Sequence, residues 1–131
     1  MIVVDASAAL ELLLRGASAQ DVEALLFAPG ESLHAPHLID VEILQVLRRH
    51  VLAGRMAADQ ADRALDVWRA FPVRRWAHEM LAPRIWALRD TLTAYDTAYV
   101  ALAEVLPATL VTLDGKLERA SGHTAKIVVV D

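Results

Sequence analysis

The chain has 131 residues, 56% of them hydrophobic, with no cysteine and a formal net charge of -4. That length fits one domain around one core, expected to span residues 1–131, and no apolar run nears the ~20 residues of a membrane span. The missing cysteine excludes disulfides, thiolate catalysis and cysteine-ligated zinc or iron-sulfur sites, and with no basic leader a soluble, cytoplasmic protein is expected.

The first element is a strand over residues 2–5, followed by a helix over 6–14 that stops at Gly16, where a left-handed residue is favoured. Ser18-Ala19-Gln20-Asp21 resembles a capping box and opens a helix to Phe27, closed by Pro29-Gly30. Residues 32–35 read as a short strand, and Pro36 suits the first turn of a helix over 37–53 that ends at Gly54. On that helix Glu42, Gln45 and Arg49 fall on one narrow polar stripe walled by apolar residues. Helices over 57–70 and 77–89 follow, the second interrupted or restarted at Pro83, with Val73 to Trp76 between them as a strand or extended link. A helix over 94–106 stops at Pro107; strand 109–113, a short helix over 115–120 and strand 127–130 complete the pattern.

Strands with β-branched interiors, separated by helices and lacking polar alternation, predict a parallel sheet covered on both faces. The expected fold is a three-layer α/β/α domain with a central, mostly parallel sheet of four to five strands. In such a sheet ligands bind at the C-terminal edges of the strands. Asp5 ends the first strand and Asp114 the fourth, while Glu42 and Asp96 lie near the starts of apolar helices.

Each acid has a plainer role when taken singly. Asp5 and Asp114 suit helix N-caps, Asp96 gains from a helix dipole, and Glu42 could face water with its stripe. Carboxylates brought together, however, repel by roughly 4 kcal/mol per pair at 4 Å and an effective dielectric near 20. A set of four therefore takes up protons or a multivalent cation. An all-oxygen set without cysteine or paired histidines suits magnesium or manganese and phosphodiester chemistry. The net charge speaks against a nucleic-acid partner only superficially. Eleven of the thirteen cations are arginines, and four of the seventeen acids are those just named.

At these residues the chain resembles PIN-domain ribonucleases of the VapC toxin type. Val3-Val4-Asp5-Ala6-Ser7-Ala8, Val41-Glu42-Ile43, the segment Thr93 to Ala103 around Tyr95-Asp96, and Thr112-Leu113-Asp114 stand in the family's order and rough spacing over essentially the whole chain. The resemblance implies a Mg2+-dependent endoribonuclease, Mn2+ being an alternative ion, that cuts structured RNA such as tRNA or rRNA and is restrained by a cognate antitoxin. It implies Asp5, Asp96 and Asp114 as metal ligands, Glu42 as a ligand or orienter of a metal-bound water, and Ser7 and Thr112 as supporting hydroxyls. Gly115 and Lys116 follow the last aspartate where some members carry a further acid, leaving four acids. A non-catalytic RNA- or protein-binding module on the same fold is the alternative. A phosphatase of the haloacid dehalogenase kind is set aside because it needs an aspartate where Ser7 stands.

Several residues imitate site features. Asp131 follows a strand but is terminal; His34 and His37 are split by Pro36 with no third ligand near; Ser121-Gly122-His123 and Lys116 read as loop residues. Arg48, Arg49, Arg55, Arg74, Arg75, Arg84 and Arg89 form a candidate phosphate-gripping rim, and Trp68, Trp76 and Trp86 read as core or interface anchors. The apolar excess on helices 6–14, 19–27 and 37–53 predicts a homodimer and a groove for an antitoxin peptide.

Overall fold

Five short strands, β1 (Ile2–Val4), β2 (Leu33–Pro36), β3 (Val73–Trp76), β4 (Thr109–Thr112) and β5 (Lys126–Val129), pair in the order β3-β2-β1-β4-β5, every pair parallel. This computed structural model describes residues 1–131. Every residue of β1 and β2 is buried, as expected of strands covered on both faces. From β1 the chain builds β2 and β3 on one side, then returns to add β4 and β5 on the other. The β1/β4 boundary is thus the point where strand order reverses, the place where parallel sheets of this kind offer a crevice at the C-terminal edge.

The helices are α1 (Ala6–Leu13), α2 (Ala19–Leu26), α3 (Leu38–Leu52), α4 (Ala58–Arg69), α5 (Ala82–Ala87), α6 (Ala94–Val105) and α7 (Gly115–Arg119). In α6 seven consecutive residues, Thr97 to Ala103, are buried. Three are alanines, which let the helix lie close across β1, β2 and β4. Helix α1 packs on β4 and against α2, α3 and α4. One core cluster gathers thirty buried residues from these elements. No helix is long and apolar enough to cross a membrane.

Local departures from the sequence reading have physical causes. The positive φ after α1 belongs to Arg15 at 54°, not to Gly16. Gly16 instead makes room: a Cβ there would collide with the Glu11 carboxylate, whose Oε1 accepts from the Ser18 backbone N–H. That bond displaces the capping box, and the Ser18 side chain caps nothing. Pro36 ends β2 rather than starting α3. It lies beyond the last β1 partner, so its missing N–H costs the β1/β2 ladder nothing. Residues 79–81 form a 3-10 turn, with Pro83 in the first turn of α5.

Candidate metal centre

Asp5 leaves β1 at the crevice, and its backbone N–H donates to the Val111 carbonyl at 3.0 Å, fixing it beside β4. It occupies the N-cap position of α1 yet makes no capping bond with its side chain. Instead Oδ2 accepts from Ser7 Oγ at 2.6 Å and from Thr112 Oγ1 at 2.7 Å. Each hydroxyl in turn accepts a backbone N–H, Ser7 from Leu113 and Thr112 from Asp114, both at 3.0 Å. A hydroxyl has one proton, so both protons are committed to Asp5. The Asp5 side chain is therefore not a plain helix cap, and both Ser7 and Thr112 touch its carboxylate.

The Asp5 side is 7% exposed, and no lysine or arginine pairs with it. Burial pushes its carboxyl above the ordinary aspartate range, the two hydroxyls pull it down, and the charge of Asp96 pushes it up again. Glu42, in the second turn of α3, is half-buried and raised for the same reason; the charges of Asp5 and Asp96 add to its shift. Tyr99, buried three residues after Asp96 on α6, donates its hydroxyl to Glu42 Oε1 at 2.5 Å. Burial and this bond raise the phenol far above its usual range, so it remains a donor.

Asp96 and Asp114 form a more exposed half. Thr93 caps α6 by accepting the Asp96 N–H, and Asp114 caps α7 by accepting the Lys116 N–H at 3.0 Å. The capping role is therefore real for Asp114. Lys116 Nζ stands 3.4 Å from Asp96 and 3.4 Å from Asp114, and the two charges raise its pKa. Lys116, a loop residue on the sequence reading, thus belongs to the site.

The crevice brings together all four acids in this sense: Asp5, Glu42 and Asp96 feel one another's charge, and Lys116 joins Asp96 to Asp114. As they stand, no three acidic or histidine side chains form a group that could hold a metal ion. The donor chemistry nevertheless fits a hard divalent cation. Every candidate donor is a carboxylate oxygen, two of the carboxyls are raised by burial without a cationic partner, and Asp5 Oδ1 and Glu42 Oε2 accept no side-chain hydrogen bond.

Sequence reasoning missed Tyr99 and misplaced Lys116. The signal for Tyr99 was its helical spacing from Asp96, one turn on, whereas a lone lysine after Asp114 carried none. The seven-arginine rim is not a single patch: Arg75 pairs with Asp40, Arg84 with Glu104, Arg55 donates to His50, and Arg74 lies over Trp76. Of the seven, Arg89 lines the cleft that contains Asp96. Trp68 is a core residue at 3% exposure and Trp76 is partly buried, but Trp86 is 69% exposed and anchors no core. His34 is tied to Ser32 and Trp76, away from the acids.

A PIN-domain family profile matches residues 2–122. Ribonuclease VapC9 of Mycobacterium tuberculosis strain H37Rv is 45% identical over 130 residues, covering 99% of this chain and 98% of that protein. Ribonuclease VapC12 of the same strain is 40% identical over 130 residues and 99% of each. Among solved structures, VapBC2 from Rickettsia felis bound to a promoter DNA fragment contains a chain that aligns over 100% of both molecules with a TM-score of 0.73 and 15% identity, a likeness of fold.

Proposed function

The chain belongs to the PIN-domain family, among relatives named VapC ribonucleases, and on that premise we propose that it is a divalent-metal-dependent endoribonuclease, the toxin of a toxin-antitoxin pair. Its substrate on this reading is structured RNA such as tRNA or rRNA. The observation that carries the proposal is the pairing of a buried Asp5, held by two hydroxyls, with Glu42, held by Tyr99, at the C-terminal edge of the sheet.

Asp5, Asp96 and Asp114 would hold Mg2+, or Mn2+, and the bound ion supplies a water of lowered pKa and neutralises charge on the phosphate oxygens. Ser7 and Thr112 fix Asp5 through Oδ2 and leave Oδ1 without a side-chain hydrogen bond. Tyr99 occupies Glu42 Oε1, so Oε2 is the atom that takes the proton of the attacking water, and the raised carboxyl makes it a better base. The water oxygen bonds to phosphorus as one ester P–O bond breaks, and the departing oxygen is protonated by solvent.

The partner readings rest on exposed apolar surface. A groove of about 820 Å³ lined by Leu12, Leu13, Phe27, Val67 and Phe71 suits an apolar antitoxin segment, and exposed Val41, Leu44 and Leu52 on α3 suit a homodimer. The protein would act in the cytoplasm.

The test is cleavage of a cellular RNA pool by the purified chain. Cleavage that requires Mg2+ or Mn2+, stops with chelator and disappears in Asp5→Asn and Asp96→Asn supports the reading. Cleavage surviving in both variants overturns it, and binding without turnover on any RNA makes the chain a non-catalytic module.

A further inference from the structure

The site described so far grips one phosphate; an RNA strand must also be held on either side of it. Beside Asp96 lies a cleft of about 410 Å³ lined by Arg89, Asp90, Thr91, Leu92, Thr93 and Lys116. It holds two of the molecule's thirteen cations. Lys116 Nζ is shared between Asp96 and Asp114 at the cleft's inner end, and Arg89 makes no ion pair at all. Arg89 is held by other means: Nη1 donates to the Trp86 carbonyl at 2.9 Å, and its guanidinium lies 4.7 Å from the centre of the Trp86 ring. That ring is 69% exposed on a helix of six residues.

An exposed tryptophan with an arginine on its ring, next to a polar cleft that opens on the acids, has the makings of a nucleotide platform. Aromatic faces stack bases without regard to sequence, and a fork of guanidinium donors matches a phosphate. A core role does not account for Trp86, and an ion pair does not account for Arg89.

We infer that the cleft between Arg89 and Lys116, with Trp86 outside it against Arg89, is a subsite for a nucleotide flanking the scissile phosphate, with Arg89 and Lys116 gripping a backbone phosphate and Trp86 stacking the attached base. The inference rests on the ribonuclease reading and narrows it, because stacking on Trp86 requires an unpaired base. The substrate stretch entering here is a loop, bulge or single strand, not the interior of a duplex.

The experiment uses the full chain carrying Asp5→Asn, so that RNA stays intact, and a labelled mixed-sequence single-stranded RNA of about 12 nucleotides, within the usual range of such sites. Fluorescence anisotropy in Mg2+ buffer should show Trp86→Ala weakening binding ~10-fold, and an abasic strand of equal length should not feel that change. Arg89→Ala and Lys116→Ala should each weaken both strands and lower the dependence of log affinity on log salt by about 0.7, one phosphate contact on a single strand. Unchanged affinity in all three variants overturns the subsite, whatever the chain cleaves. So does a Trp86→Ala variant that halves the mass in solution while RNA affinity holds, since the ring would then seat a second copy. If the variants lose RNA while the unmutated chain with Mg2+ cuts none, the subsite stands and the hydrolytic reading falls.

Discussion

The acid crevice has two halves built on opposite electrostatic plans. In the inner half, Asp5 and Glu42 are desolvated and held by neutral hydroxyls from Ser7, Thr112 and Tyr99. In the outer half, Asp96 and Asp114 sit at helix starts in partial contact with water and share the ammonium of Lys116. Hydroxyls orient a carboxylate without cancelling its charge, whereas a lysine cancels charge and, at the end of four methylenes, orients little. The inner half thus holds its geometry and lacks a cation. The outer half has a cation that a stronger one can replace.

The largest test of this difference is catalytic. Asp5→Asn should lower RNA cleavage by about 10³-fold, the upper end of the range seen when a group aimed at developing charge is lost, while Asp114→Asn should cost about 10- to 100-fold. Equal losses, measured as kcat/KM on one RNA, would erase the distinction between the halves. Ion binding comes next. At about 100 times its dissociation constant, Mg2+ should stabilise the unmutated fold by about 2.7 kcal/mol in thermal melts, and Asp5→Asn should remove most of that gain. Without metal the same variant should be as stable as the parent or more so, because it deletes a buried, unpaired charge. A metal-free loss of stability would mean Asp5 is chiefly structural.

Tyr99→Phe isolates a single oriented oxygen. It should cost about 1 kcal/mol of stability and lower kcat several-fold with KM little changed, since the residue touches Glu42 and not substrate. A KM effect alone would contradict its positioning role. The smallest effect is the pH profile of metal-free stability. Asp5 and Glu42 have raised carboxyls, so the folded chain holds protons the unfolded chain has released, and stability falls as pH rises from the ordinary carboxylate range through their folded values. Glu104, bound by Arg84 and Thr124 and lowered to about 2, acts oppositely: its contribution is full above its ordinary value and lost as pH falls toward 2. Asp40, lowered by Arg75, behaves likewise. Denaturant titrations should therefore find maximum stability in mildly acidic buffer, and added Mg2+ should move it upward. A maximum that stays at neutral pH without metal contradicts the inner pair's burial.

Much of the acid crevice was legible in the sequence. Asp5 and Asp114 follow apolar β-branched runs, and short strands of that kind leave few alternatives; Glu42 stood out as one acid walled by apolar residues. The helix and strand positions also followed from apolar runs and from Pro and Gly punctuation. What remained hidden was decided by tertiary competition. Ser18 does not cap because Glu11, seven residues earlier, reaches its N–H first. Lys116 enters the site because the turn after β4 comes to rest against the start of α6, a meeting no local pattern encodes. Trp86 read as an anchor because tryptophan at helical spacing usually is one, but α5 is too short to bury a full face.

The Ser7–Asp5–Thr112 junction joins residues more than a hundred positions apart in the chain. Strands β1, β2 and β3 can all leave the ribosome while β4, which supplies Thr112 and Asp114, is still unmade. Until then Asp5 lacks the Thr112 hydroxyl, and the backbone N–H of residues 113 and 114 that holds its supports in place. The acid crevice is therefore one of the last features of the molecule to exist. A nascent chain carries most of the fold's mass and none of its finished chemistry, which separates the synthesis of this protein in time from the onset of whatever it cuts.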